Sequence, residues 1–186
     1  MMRASLLLSA VLLTAGPALA DQSVAVGPFR VVALAGGGHV EVKPGATQSV
    51  ILTKGSTEFT TIRVESNGTL DIEACNGRCP EHYDLDVVIT TPNITGVSIK
   101  GGGDIHVAPG FKLGEFDAAV TGGGRIDARD VPAQRVNAAV TGGGRIAVTA
   151  NSALNAAVEG GGSIAYWGKP TVNQAVDGGG SIKAGE

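Results

Sequence analysis

Apolar residues stand at fixed distances on both sides of a glycine triplet that recurs along this chain. Gly-Gly-Gly occurs six times, beginning at Gly36, Gly101, Gly122, Gly142, Gly160 and Gly178, and the last five are spaced 21, 20, 18 and 18 residues apart. Aligned on the triplets, those five segments read VSIKGGGDIHV, AAVTGGGRIDA, AAVTGGGRIAV, AAVEGGGSIAY and QAVDGGGSIKA. Two places before each triplet stand Ile99, Val120, Val140, Val158 and Val176; two places beyond it stand Ile105, Ile126, Ile146, Ile164 and Ile182. Two further out lie Val97, Ala118, Ala138, Ala156 and Gln174 on one side, and Val107, Ala128, Val148, Tyr166 and Ala184 on the other. Phe116, Val136, Leu154 and Val172 extend the earlier arm. A period of two on both sides of a glycine break predicts two short strands joined by a tight turn.

Consecutive hairpins in a meander and successive coils of a parallel β-solenoid both fit such units. Only stacking of equivalent residues at about 4.8 Å calls for the same side chain in each unit, so the isoleucine column favours the solenoid. The expected fold class is therefore all-β, a parallel β-helix or solenoid with coils of 18–21 residues and glycine-triplet turns. Each coil would bury about five apolar side chains at roughly 1.5–3 kcal/mol each, which offsets ordering only when neighbours stack on both sides.

Glycine at ordinary strand positions costs about 0.5–1 kcal/mol relative to alanine. The turns Gly101-Gly102-Gly103, Gly122-Gly123-Gly124, Gly142-Gly143-Gly144, Gly160-Gly161-Gly162 and Gly178-Gly179-Gly180 are therefore expected to need positive φ or close backbone stacking. A phosphate-cradling loop would need a helix N-terminus after the glycines, whereas a strand pattern follows each triplet. The period is also about twice that of calcium-binding nonapeptide repeats, and no aspartate recurs at their ligand position. No cofactor and no metal is expected. Upstream, residues 29–35, 39–42, 49–53, 59–65, 69–74 and 83–91 alternate as strands, with Asn67-Gly68 as a hairpin turn. No window shows helical periodicity.

The first twenty residues change the compartment. Met1-Met2-Arg3, an apolar run from Ala4 to Ala15 and the closing Ala18-Leu19-Ala20 have the layout of a secretory signal peptide. Residues 1–20 are expected to be cleaved, leaving 21–186 as one domain of 166 residues that begins at Asp21. The apolar run is too short to span a bilayer, and no later stretch approaches the roughly 20 residues a membrane helix needs. The expected location is the periplasm, the outer surface or the medium. Loss of Arg3 leaves 13 basic against 17 acidic residues, a balance with no electrostatic footprint for nucleic acid.

In an oxidising compartment the two cysteines, Cys75 and Cys79, are first read as a disulfide. A redox or metal pair is the alternative. Their C-x3-C spacing differs from the C-x-x-C of thioredoxin-like enzymes, and no second Cys/His pair completes a zinc site.

The segments FRVVALAGGGHVEVKPGATQSVIL, VESNGTLDIEA, LDVVITTPNITGVSIKGGGDIHV and YWGKPTVNQAVDGGGSIKA resemble the putative auto-transporter adhesin head GIN domain, a bacterial family of unknown function. The likeness runs over about residues 24–184. It implies a β-helical fold, an envelope or extracellular location and an adhesive role, and brings no catalytic residues. The Cys75 to Cys79 loop stands outside the shared pattern.

Candidate contact residues come from the outward phase. Arg125 and Arg145, one repeat apart, suit an acidic sugar or carboxylate, although solvation alone accounts for polar residues there. Asp117, Asn137, Asn155 and Asn173 recur five residues before their triplets and are expected to form a hydrogen-bonded polar ladder. Beside them Ala119, Ala139, Ala157 and Ala175 form a small-residue stripe that suits a protein contact or the seat of a neighbouring strand, and such stripes mark partner surfaces, homo-oligomers included. Trp167 is the aromatic candidate for stacking on a sugar, while Tyr166 falls in a core column. Asp104, Asp127, Asp130 and Arg129 are the only candidates for polysaccharide lyase or hydrolase chemistry, and they form no recurring cluster. The histidines His39, His82 and His106 are scattered. The expected function is an exported, non-enzymatic envelope binding or adhesion module for a glycan or surface component. The alternatives are a polysaccharide-active β-helix enzyme and a purely structural envelope oligomer.

Overall fold

The computed structural model describes residues 21–185, and the expected leader over residues 1–20 lies outside them. Among the described residues there are fifteen strands and no helix. All the strands join one sheet, nearly closed into a barrel-like shape around a single apolar core.

The triplet segments pair in parallel and in register. β8 (Gly96–Gly101), β10 (Leu113–Gly122), β11 (Arg125–Gly142), β12 (Arg145–Gly160) and β14 (Thr171–Asp177) lie side by side along one face. Beyond the triplets, β9 (Asp104–Val107), the first part of β11, the first part of β12, β13 (Ser163–Trp167) and β15 (Ser181–Ala184) do the same. Ile105, Ile126, Ile146, Ile164 and Ile182 occupy one register position, and the first four are at most 2% exposed.

β11 is bent. Its alternation of buried and exposed residues breaks at Arg129-Asp130 and again at Gln134-Arg135, both exposed pairs, so Val131 and Ala133 bury on a short segment between two bends. Opposite this segment the register with β12 shifts between Ala128 and Pro132 and between Ala133 and Arg135. β12 follows a shorter path there. That difference accounts for the spacing of 20 residues between the triplets flanking β11 and of 18 across β12.

The first triplet is not a preface to the repeat. β2 (Val31–Gly36) and β3 (His39–Pro44) pair in parallel with β8 and β9, so Gly36 lies against Gly101. On their other side lie β6 (Thr69–Glu73) and β7 (Asp86–Thr91). That end is closed by antiparallel strands: β5 (Thr61–Val64) on β6 through the Asn67-Gly68 turn, β4 (Ser49–Lys54) on β7, and β1 (Gln22–Val24) on β4. Residues 74–85, which include the Cys75–Cys79 disulfide, connect β6 to β7 where every other layer has glycines. Ala74 donates its N–H to the Ala35 carbonyl and Leu85 accepts from His39 N, so the loop leaves and rejoins in register.

Both glycine demands are met, and from Gly122 onward they fall together on the first glycine of each triplet. The first glycine has positive φ throughout, as at Gly122 (φ 120°) and Gly142 (φ 113°). The third is held by stacking: a β-carbon on Gly144 would collide with Val120 Cγ1 and stand 2.8 Å from the Gly124 carbonyl oxygen. The middle glycine faces open space at Gly123, Gly143, Gly161 and Gly179.

Candidate functional site

One outward face collects the recurring polar residues. Because side chains alternate along a strand, the buried Phe116, Ala118 and Val120 of β10 force Asp117, Ala119 and Thr121 outward, and parallel pairing repeats that choice on β11, β12 and β14. Asp117, Asn137, Asn155 and Asn173 share one register position. Asn137 Nδ2 donates to Asp117 Oδ1 at 2.8 Å and to Glu115 Oε1 at 3.2 Å, and Asn155 Nδ2 donates to Asn137 Oδ1 at 2.9 Å. The hydrogen-bonded ladder thus runs from Asp117 through Asn137 to Asn155, and Asn173 continues its register without a hydrogen bond to Asn155.

The neighbouring stripe of Ala119, Ala139, Ala157 and Ala175 is exposed. Their methyl groups are shorter than the amide side chains beside them. The result is a shallow groove of about 450 Å³ floored by alanine and walled by the ladder.

The other candidates lie elsewhere. Arg125 and Arg145 are neighbours in register and exposed, but the glycine turn separates them from the ladder. Asp104 lies beside Arg125 on the next strand, and Ser163 beside Arg145. Trp167 is half-buried on β13, with the Arg129 guanidinium 4.2 Å above its ring and Gly185 packed against it. Asp127 Oδ1 accepts from the Arg129 backbone N–H at 3.3 Å, which places this carboxylate in a local turn. Tyr166 is partly buried against the core in register with Val148.

A second patch was not visible in the sequence. β3 beside β9 brings His39 against Asp104 and His106 against Glu41, and β11 adds Asp127 beside His106. His39, Asp104, His106, Arg125 and Asp127 line a shallow depression of about 380 Å³. The histidines are 67 positions apart in the chain, so only the pairing of the first triplet with the second joins them. Among the described residues no group of three or more His, Cys, Asp or Glu is placed to hold a metal. Near the antiparallel end, Lys54 Nζ meets Asp86 Oδ2 at 2.7 Å, and that hydrogen bond and charge keep its ammonium protonated above the usual lysine range. The Arg63 guanidinium is raised likewise, first by its hydrogen bond to Glu65 and then by the charge of Asp71.

Residues 28–112 and 110–170 match the family described as "Putative auto-transporter adhesin, head GIN domain", and the chain belongs to that family. Its fold is similar to that of a putative adhesin from Bacteroides fragilis, at 21% identity and a TM-score of 0.57, over 88% of this chain and 95% of that one. A putative adhesin from Parabacteroides merdae is similar at 14% identity and a TM-score of 0.44, over 90% and 96% of the two chains. A putative lipid binding protein from Parabacteroides distasonis is similar at 16% identity and a TM-score of 0.41, over 89% and 96%. No curated protein sequence matches the chain. No helix among the described residues is long and apolar enough to cross a membrane.

Proposed function

We propose that this chain is an exported, non-enzymatic binding or adhesion module of the bacterial envelope, which uses its amide-walled alanine groove to hold an extended surface polymer, a glycan chain first of all. Residues 1–20 act as the cleaved leader, and residues 21–186 form one domain. The architecture is a parallel β-solenoid with triplets at its turns, a reading supported by the common register of Ile126, Ile146, Ile164 and Ile182.

The observation that carries the functional reading is the Asp117–Asn137–Asn155 hydrogen-bond chain beside the alanine floor. Each asparagine amide has two N–H donors and a carbonyl oxygen with two lone pairs. The ladder fixes the amide planes: Asn137 commits both N–H groups and keeps one acceptor lone pair, while Asn155 keeps one N–H and its carbonyl oxygen. Side chains already ordered lose less entropy on binding, so a repeating array of hydroxyls meets preorganised partners about 4.8 Å apart. The alanine floor accepts the apolar face of a sugar ring without displacing side chains. Family membership supports the adhesive role and the surface location.

The test is retention of the purified protein on a panel of glycans and envelope polymers, with product release followed in the same wells. Wild type is expected to be retained by a subset of polymers without cleavage. Ala157→Arg, which fills the groove from an exposed position, is expected to lose retention while melting as wild type. Retention unchanged by this substitution would remove the groove from the proposal, and released product would favour the polysaccharide-active alternative.

A further inference from the structure

The two ends of the sheet differ. At one end antiparallel β4 and β5 cover β7 and β6, and the outermost strands there, β1 and β5, are only 3 and 4 residues long against 7 for β14. At the other, β14 pairs only with β12 and β15 only with β13, so among the described residues nothing pairs with their outer edges. Unpaired edge N–H and C=O groups are a template for another strand. The interior columns also stop here. Val172 follows Leu154, Val176 follows Val158 and Ile182 follows Ile164, yet Val176 is 45% exposed and is the only exposed large hydrophobic residue among those described.

We propose that this end is the interface of a twofold homodimer, in which β14 pairs antiparallel with β14 of a second copy about an axis through Gln174. The strand's own sequence argues for this occupant. Thr171-Val172-Asn173-Gln174-Ala175-Val176-Asp177, read against itself in that register, sets Val172 opposite Val176 on the core-facing side at both ends. It sets Asn173 opposite Ala175 and Thr171 opposite Asp177 on the other side. Every core-facing valine meets a valine, and the interior columns continue from one copy into the other.

Gln174 gives the register its centre. It stands on β14 where Ala118, Ala138 and Ala156 stand on the preceding strands, so a polar side chain replaces alanine only in the terminal layer. An inward polar residue can guard an edge against pairing. An amide, unlike a lysine or glutamate, is both donor and acceptor, so two Gln174 side chains can satisfy each other across a twofold axis. Charge agrees as well. Asp177, opposite Thr171 of the second copy, comes within reach of that copy's exposed Lys169. A twofold contact of this kind is self-complementary and closes at two copies.

The inference stands on register and exposure and is independent of the groove's ligand. The purified protein is expected to sediment at twice its monomer mass, and Val176→Lys to sediment as a monomer with its melting transition retained. Register is read by cysteine cross-linking, which is clean because Cys75 and Cys79 are already paired. Gln174→Cys is expected to form a covalent dimer on mild oxidation, since residues opposite one another on the axis have Cα atoms about 5 Å apart. Asp177→Cys is not, since its copies stand roughly 20 Å apart. Cross-linking leaves Val176 intact, so it decides the matter even if Val176→Lys fails to fold. A wild-type protein that stays monomeric, one that grows into open-ended polymers, or equal cross-linking at both positions would overturn the proposal.

Discussion

A β-carbon on Gly142 would stand 2.8 Å from the carbonyl oxygen of Gly122, the equivalent glycine one strand away. Gly142 also has φ of 113°, in the region L residues avoid. Gly143, the next residue, meets nothing within 4 Å. Chemically identical neighbours therefore carry different constraints. Gly142→Ala is expected to destabilise by about 1–3 kcal/mol through strain and backbone displacement. Gly143→Ala is expected to lie within about 0.5 kcal/mol of wild type. Paired denaturant titrations check both values, and equal losses at the two positions would contradict the stacked turn.

Arg125 and Arg145 stand side by side in exposed positions, with Asp104 and Ser163 as their outer neighbours. Replacing both with alanine removes a like-charge pair together with the attraction between Arg125 and Asp104. These effects oppose each other in solvent, so stability is expected to change by no more than about 0.5 kcal/mol. Because the pair lies away from the ladder, polymer retention in the groove is expected to persist. A large drop in the urea midpoint would show that both side chains belong to a buried network.

The Cys75–Cys79 bond closes a short loop where the connection between β6 and β7 replaces a glycine turn. The loop is also held by Tyr83, whose hydroxyl accepts from Ser56 N at 2.8 Å and whose ring packs edge-on against Phe59. The double substitution Cys75→Ser and Cys79→Ser is expected to lower stability by roughly 2 kcal/mol and to leave a cooperative transition. Thermal melts of the variant measure this. Loss of the transition would make the disulfide a staple of the whole domain.

How much of this could be read from the chain depended on distance along it. Ile126 and Ile146 announce their pairing because equal spacing from equivalent glycines repeats between successive strands. The contact of Gly36 with Gly101 gives no such sign, since 65 positions separate them and the intervening strands close the opposite end. The His39 and His106 patch was hidden for the same reason. The segment at Val131 and Ala133 was also missed, because two bends shift the phase of alternation and hide a period of two. Asn137 and Asn155 were legible as a ladder, whereas the separation of Arg125 from that ladder depends on the direction the chain takes at the turn.

The layered order of the chain is the claim from which the groove, the turns and the open end all follow. Nuclear Overhauser contacts between isoleucine methyl groups in a selectively methyl-labelled sample test it most directly. Cross-peaks are expected for Ile126 with Ile146, Ile146 with Ile164 and Ile164 with Ile182, whose strands are neighbours about 4.8 Å apart. The pair Ile126 and Ile164, two strands apart, is expected to be weak or silent. Absence of the three neighbour contacts, with each isoleucine instead meeting residues of its own hairpin, would contradict the parallel register.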